Sequence, residues 1–490
     1  MSNRRKKVFS GFIWRLAERF GAQGVSFVVS IILARLVEPK AHGTIAIALV
    51  LTTIMTVIVD SGLGTSLIQK VDADDLDFSS VFFFNSGLCL ILYLLTFFVL
   101  SPALAAFYHN PQLIPLTRVL GISIVFNGVK NVQFAYVSKH MQFKRFFFST
   151  LLGTVFAAIL GVWMAYHGYG VWALVLQQLL NTVVDTVVLW ITVEWKPKLQ
   201  FSWRRIKRLF RFGGKIFVAN IFGIICENMN QLVVGKFYSE TELAYYNKGA
   251  HYPEITVCNI IPAIDGVIFP TMAEEQNNNE NLKTIARRGI SLGAYIVSPI
   301  MLGLASCADS FVRVVLTDVW VFSIPILQIF CLNSIIRPLV CINVDIFNAL
   351  GKGEVTLKME IAKRLVGLAL LFASIPFGVK AMALSVLIST CVAYILNAFV
   401  SSRLIGYRVR EQFRDILPSF LVTGAMGAIV LLVGRLNINL KALLLLQVAV
   451  GVVVYILLSF VFHLDSFHYV ASAVLGMLSR KKKDDSSSKS

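Results

Sequence analysis

Apolar runs of 20 to 30 residues recur along almost the whole chain, parted by short polar stretches. A bilayer core takes about 20 residues of helix. The runs therefore predict fourteen membrane-spanning helices, at approximately 8–37, 42–69, 78–101, 113–137, 146–167, 170–193, 211–236, 243–270, 282–306, 321–350, 355–377, 380–403, 415–434 and 441–463. The first run is apolar overall, yet Arg15, Glu18, Arg19, Gln23, Ser26 and Ser30 fall on one face of a 3.6-residue helix. Arg19 lies roughly 16 Å along that helix at about 1.5 Å per residue. Charges at such depth face a protein interior or a watery cavity. This face predicts a polar pathway through a bundle; an Arg15–Glu18 pair one turn apart is the structural alternative.

The polar stretches carry a topological signal. Lys139, Lys144 and Arg145, then Lys196 to Arg208, Arg287 and Arg288, Lys352 and Lys358, and Arg403 to Arg414 all follow even-numbered runs. The opposite loops 101–112, 167–170 and 238–242 hold no Lys or Arg. The positive-inside rule then places both termini in the cytoplasm. A net charge of +18 would point to nucleic acid in a soluble protein. Here the basic residues sit between apolar spans, and 57% of residues are hydrophobic against 15% charged, so no nucleic-acid partner is expected. The connection 194–211 interleaves Trp195, Phe201, Trp203, Leu209 and Phe210 with its basic residues, which predicts an amphipathic helix on the inner leaflet. The seven cysteines lie in or beside apolar runs with no C-x-x-C and read as packing residues.

A shift of 201 residues brings Ala34-Arg35-Leu36-Val37 onto Gly235-Lys236-Phe237-Tyr238, and Arg19, Ala22, Ser26 and Ser30 onto Asn220, Gly223, Glu227 and Gln231. Six spans per repeat, an even number, give both repeats the same membrane orientation and an axis along the membrane normal, with the substrate path between them. The organisation expected is all-α and polytopic. Two pseudo-symmetric six-helix bundles occupy 1–205 and 206–405, two further helices 406–464, and a basic cytoplasmic tail 465–490.

Enzyme motifs are missing: there is no Gly-rich phosphate loop, no H-E-x-x-H and no G-x-S-x-G. The seven histidines are scattered, so no catalytic residue, metal or cofactor is assigned, and Asp74-Asp75 reads as part of a solvated inner loop. What remains are charges inside spans. Arg15, Arg19, Arg118, Lys130, Lys248 and Arg337 suit an anionic substrate, since guanidinium groups bind phosphate through paired hydrogen bonds. Asp60, Glu227, Asp265 and Asp345 are candidates for proton or sodium coupling, whereas Lys215, Lys363 and Arg364 near span ends read as anchors.

The run Ser30 to Pro39 followed by Gly43, and the run Asp60-Ser61-Gly62-Leu63-Gly64-Thr65-Ser66-Leu67-Ile68-Gln69, resemble the start of bacterial polysaccharide flippases. Ala244-Tyr245-Tyr246-Asn247-Lys248-Gly249 and Phe269-Pro270 are similar to the mid-chain signature of that family. The resemblance is to the O-antigen and exopolysaccharide branch of the multidrug/oligosaccharidyl-lipid/polysaccharide superfamily. It implies two six-helix bundles forming a V around a central cavity, with two extra helices. It also implies transport of undecaprenyl-diphosphate-linked oligosaccharide across the bacterial inner membrane, the diphosphate held by the cationic face and the lipid tail left in membrane lipid. A polysaccharide polymerase and glycosyltransferases are the neighbours expected. Two rivals differ in chemistry: a multidrug cation antiporter of the same superfamily wants an acidic cavity, and a membrane glycosyltransferase or polymerase wants a long outer loop or an acidic catalytic cluster.

Overall fold

The computed structural model describes Trp14, residues 21–60 and 62–467, Tyr469 and Ser472, with all their side chains but those of Phe212, Lys215 and Ile216. Helix is the regular structure throughout the described residues. In chain order the helices are α1 (Gly21–Leu36), α2 (Pro39–Asp60), α3 (Leu63–Gln69), α4 (Asp75–Leu95), α5 (Ser101–Tyr108), α6 (Leu113–Lys139), α7 (Phe143–Tyr166), α8 (Val171–Thr192) and α9 (Trp203–Phe237). The chain goes on through α10 (Glu240–Glu274), α11 (Asn279–Ser306), α12 (Ala308–Phe311), α13 (Ile324–Ala349), α14 (Gly353–Ser374), α15 (Val379–Ile405), α16 (Val409–Val433) and α17 (Leu440–Val461).

Twelve helical stretches among the described residues are long and apolar enough to cross a membrane. The fourteen expected spans map onto these together with α1 and α14. The described part of α1 is shorter, and α14 has the length but carries Glu354, Lys358, Glu360, Lys363 and Arg364. The chain is a multi-pass membrane protein.

Local chemistry sets the helix ends. Asp74 caps α4 in a reciprocal box with Asp77, each side chain accepting from the other's backbone N–H. Asn278 accepts from the amides of Glu280 and Asn281 to start α11. The expected single span over 42–69 is broken instead: Gly62, at φ 69, ends α2 and opens the short α3. α4 and α5 are joined by one π-turn, Thr96–Leu100, and a second π-turn, Val312–Leu316, follows α12. α10 holds three prolines in its interior, Pro253, Pro262 and Pro270.

Two helix boundaries recur at the 201-residue offset. α1 ends and α2 begins around the pair Val37-Glu38, and α9 ends and α10 begins around Tyr238-Ser239, each boundary 201 residues on from its counterpart.

The chain folds as two compact units, Met1–Ala244 and Tyr245–Ser490. In the first, Leu63, Leu67, Phe78, Phe146, Trp195, Ile206 and Leu209 form one apolar cluster. Here α9 packs with the helices that precede it. Gly62 and Gly213 meet so closely that a Cβ on Gly62 would lie 2.4 Å from the Gly213 carbonyl oxygen. In the second, Ile290, Ala294, Ile342, Phe347, Tyr407 and Ile416 build the main core, into which the buried amides of Asn343 and Gln412 are locked by two mutual hydrogen bonds of 3.0 and 3.2 Å.

Candidate functional site

In the first unit the in-span charges are engaged locally. The π-turn in 96–100 breaks the regular helical ladder, and Arg118 donates from Nε to the Phe97 carbonyl at 3.1 Å while its guanidinium lies 4.3 Å from the Phe97 ring. Lys130 on α6 pairs with Asp185 on α8 at 2.8 Å. Asp60, at the last turn of α2, accepts from the Asn131 amide at 2.7 Å. Glu227 sits on an exposed face of α9. Arg15 and Arg19 lie outside the described residues.

In the second unit the charged groups converge. Arg337, Cys341 and Asp345 occupy successive turns of one face of α13, and Glu254, Cys258 and Asp265 share one face of α10. Arg337 pairs with Glu254, and the carboxyls of Asp265 and Asp345 stand side by side. Two carboxylates this close repel unless a proton or cation lies between them. One oxygen of each, Asp265 Oδ1 and Asp345 Oδ2, is buried with no hydrogen-bond partner among the described residues. Lys363 on α14 pairs with Glu360 close by. At the opening turns of α10, Lys248 places its ammonium 5.7 Å from the ring of the fully buried Trp320, a cation–π geometry. The structure thus brings Arg337, Asp265 and Asp345 together, and leaves Lys248 nearly five turns up α10 from Asp265.

The sequence did not foresee the polar knot at the foot of the first unit. Asp77, fully buried, takes Lys70 and Arg205, the latter at 3.0 Å. Arg205 reaches Asp74 as well, at 3.1 Å, and Lys198 holds Asp75 at 2.6 Å. Accepting the Asp77 backbone N–H holds the Asp74 carboxyl below its ordinary range, with Arg205 and Lys70 adding to the effect. Trp195 donates to Asp75, Gln133 bonds the Trp195 carbonyl, and the amides of Lys198 and Ser202 donate to Ser79 and Ser80. The connection is therefore not an amphipathic helix on the membrane. Residues 193–202 are irregular and pinned, and the helix that starts at Trp203 runs unbroken into the next span. Nor is 71–77 a solvated loop throughout, since its last carboxylate is an interior counter-ion. The one sequence cue was the match of three aspartates at 74, 75 and 77 to the basic run 196–208.

A family model described as polysaccharide biosynthesis protein matches residues 32–325. The chain is 25% identical to the teichuronic acid biosynthesis protein TuaB of Bacillus subtilis over 418 residues, 83% of this chain and 86% of that one. It is 23% identical to the succinoglycan biosynthesis transport protein ExoT of Rhizobium meliloti over 342 residues, 70% of this chain and 69% of that one. Among solved structures, the lipid II flippase MurJ superposes with a TM-score of 0.75 at 14% identity, over 92% of this chain and 99% of that one. That likeness establishes a common helical fold. With a family model spanning more than half its length, the chain belongs to the polysaccharide biosynthesis protein family.

Proposed function

We propose that this protein carries a lipid-linked oligosaccharide, borne on a polyprenyl diphosphate, from the cytoplasmic to the outer leaflet of a bacterial inner membrane by alternating access. The reading rests on the family match over residues 32–325, whose description names polysaccharide biosynthesis. The fold shared with a lipid II flippase is consistent with a substrate of that chemical kind. The halves of the transport machine are taken as the repeats 1–205 and 206–405, which the common helix boundaries 201 residues apart support. Lys248, beside the Trp320 ring near the head of α10, is the described cation assigned to the substrate diphosphate; Arg15 and Arg19, outside the described residues, are sequence-based candidates for the same role. Arg118, Lys130 and Arg337 join them only on release from Phe97, Asp185 and Glu254.

Coupling to a proton or sodium gradient is assigned to Asp265 and Asp345, because two carboxyls in contact favour binding a small cation between them. Asp60 and Glu227 remain secondary sites for the same role. Both termini and the 194–211 connection are assigned to the cytoplasm from the Lys/Arg asymmetry of the loops, and partners are a polymerase and glycosyltransferases acting on the same lipid. Single-cysteine labelling tests the topology: periplasmic labelling at 465–490 would overturn it. For the substrate, surface polysaccharide is measured in a flippase-null strain and normalised to inserted protein. A charge-assisted hydrogen bond is worth about 1.5–3 kcal/mol, so Lys248→Met is expected to lose at least about tenfold under limiting expression and Lys248→Arg to recover part. Full activity of Lys248→Met removes this residue from the site.

A further inference from the structure

The first two turns of α9 present three faces of different character. Ile206 and Leu209 are buried in the apolar cluster of the first unit, which fixes the helix's rotation. Arg205, turned to one side, is consumed by Asp74 and Asp77. The opposite face carries Arg204, Lys207, Arg208 and Arg211 at i, i+3, i+4 and i+7, all exposed and none in an ion pair among the described residues. No acidic residue occurs between Glu194 and Glu227 to neutralise them. Their neighbours Lys198, Lys70 and Arg145 are by contrast matched to Asp75, Asp77 and Glu194. Two aromatic side chains border the stripe, Trp203 at 61% exposure and Phe210 at 39%.

We propose that this stripe is a reception site for the diphosphate headgroup of a prenyl-linked lipid, which it gathers from the membrane surface before the headgroup enters the protein. The inference rests on the transport reading above. Four fixed cations span about 10 Å of helix at 1.5 Å per residue, a dense array for one anion of several charges. Paired guanidinium donors favour diphosphate over a lone phosphate ester. The stripe also lies on the same continuous helix as the apolar stretch Phe217–Phe237, beginning thirteen residues before it. At about 1.5 Å per residue Arg211 stands roughly 9 Å from that stretch and Arg204 roughly 20 Å. Headgroup layers are only about 5–8 Å deep on each side, so Arg211 stands nearest the layer where a lipid diphosphate lies, and Arg204 stands beyond it, level with the glycan that an oligosaccharyl diphosphate carries and a phospholipid does not. A purely topological role would ask only for positive charge in this loop, which Lys196, Lys198 and Arg205 already provide.

The test uses the full chain in phosphatidylcholine nanodiscs, in a Lys248→Met background so that residual binding reports the surface. Farnesyl diphosphate and farnesyl monophosphate are titrated separately, with phosphatidylglycerol nanodiscs as a third arm. Exposed ion pairs are each worth up to about fivefold in affinity. Changing Arg204, Lys207, Arg208 and Arg211 together to Gln should weaken diphosphate binding at least about tenfold and flatten its salt dependence. A second variant, Arg204→Lys/Arg208→Lys/Arg211→Lys, keeps charge and insertion and should fall between. Unchanged diphosphate affinity in the Gln variant overturns the site while leaving the transport reading intact. Suppression by phosphatidylglycerol as strong as by diphosphate also overturns it, in favour of a general anionic membrane contact. Failure of the transport reading shows elsewhere, as a flippase-null strain whose surface polysaccharide the unaltered protein does not restore.

Discussion

The buried carboxylate of Asp77 is the counter-ion around which the foot of the first unit is built, and removing it has a calculable cost. Asp77→Ala strips Lys70 of its partner in a place where the Lys70 side chain is only 17% exposed, and opens the capping box of α4. Breaking a buried ion pair by deleting one member costs about 3–5 kcal/mol, and losing a cap about 1 kcal/mol. Lys70 keeps some access to water and Arg205 turns outward readily, so the low end, about 3 kcal/mol, is expected. For cooperative units of this size about 1 kcal/mol moves the midpoint by roughly 2–4 °C. Asp77→Ala should therefore lower the apparent melting midpoint in nanodiscs by about 6–12 °C. The double variant Asp77→Ala/Lys70→Met should recover at least half of that loss, because no charge is then left stranded. A midpoint for Asp77→Ala within about 2 °C of the parent would refute the reasoning.

Lys130→Met should destabilise by about 3 kcal/mol, because it leaves Asp185, whose Oδ1 already lacks a hydrogen-bond partner among the described residues, with neither oxygen paired. Lys130→Met/Asp185→Leu should restore insertion; a folded but poorly active double variant is expected if Lys130 joins the substrate path on release, and full polysaccharide output would remove it from that path. The Asp74 carboxyl titrates below its ordinary 3.8, so the support it gives is complete above that value and is lost as pH falls through the folded value. Protease cleavage within 70–77, the segment whose helix start Asp74 caps, should accordingly rise only below about pH 4, and Asp74→Asn, which keeps the capping oxygen, should weaken that dependence.

Apolar length made most of the fold legible. The run at 113–137 became α6 at Leu113–Lys139, and that at 380–403 became α15 at Val379–Ile405, because hydrocarbon leaves the backbone no partner but itself. The break inside 42–69 was less visible, although Gly62 supplies the left-handed residue it needs. Pairing of charges was not legible at all. Lys130 and Asp185 stand 55 positions apart, and Arg205 and Asp77 stand 128 apart, so single-helix periodicity is silent on both. The same blindness made the 194–211 connection look amphipathic: its cations were visible, but not the three aspartates that take some of them inward and leave others outside.

Three prolines in α10 have a consequence for how that helix meets water. Pro253, Pro262 and Pro270 each lack the amide that would bond the carbonyl one turn earlier, at Gly249, Cys258 and Gly266. In hydrocarbon an orphaned carbonyl is costly, so each gap draws in a side chain or a water molecule. The gaps fall beside Lys248, on the line of Glu254, and next to Asp265. α10 is thus less a rod than a three-jointed one whose joints are also its wettable points. Bending and hydration are coupled there by covalent structure, and deuterium should penetrate the helix at those three turns before it reaches the unbroken ladder of α17.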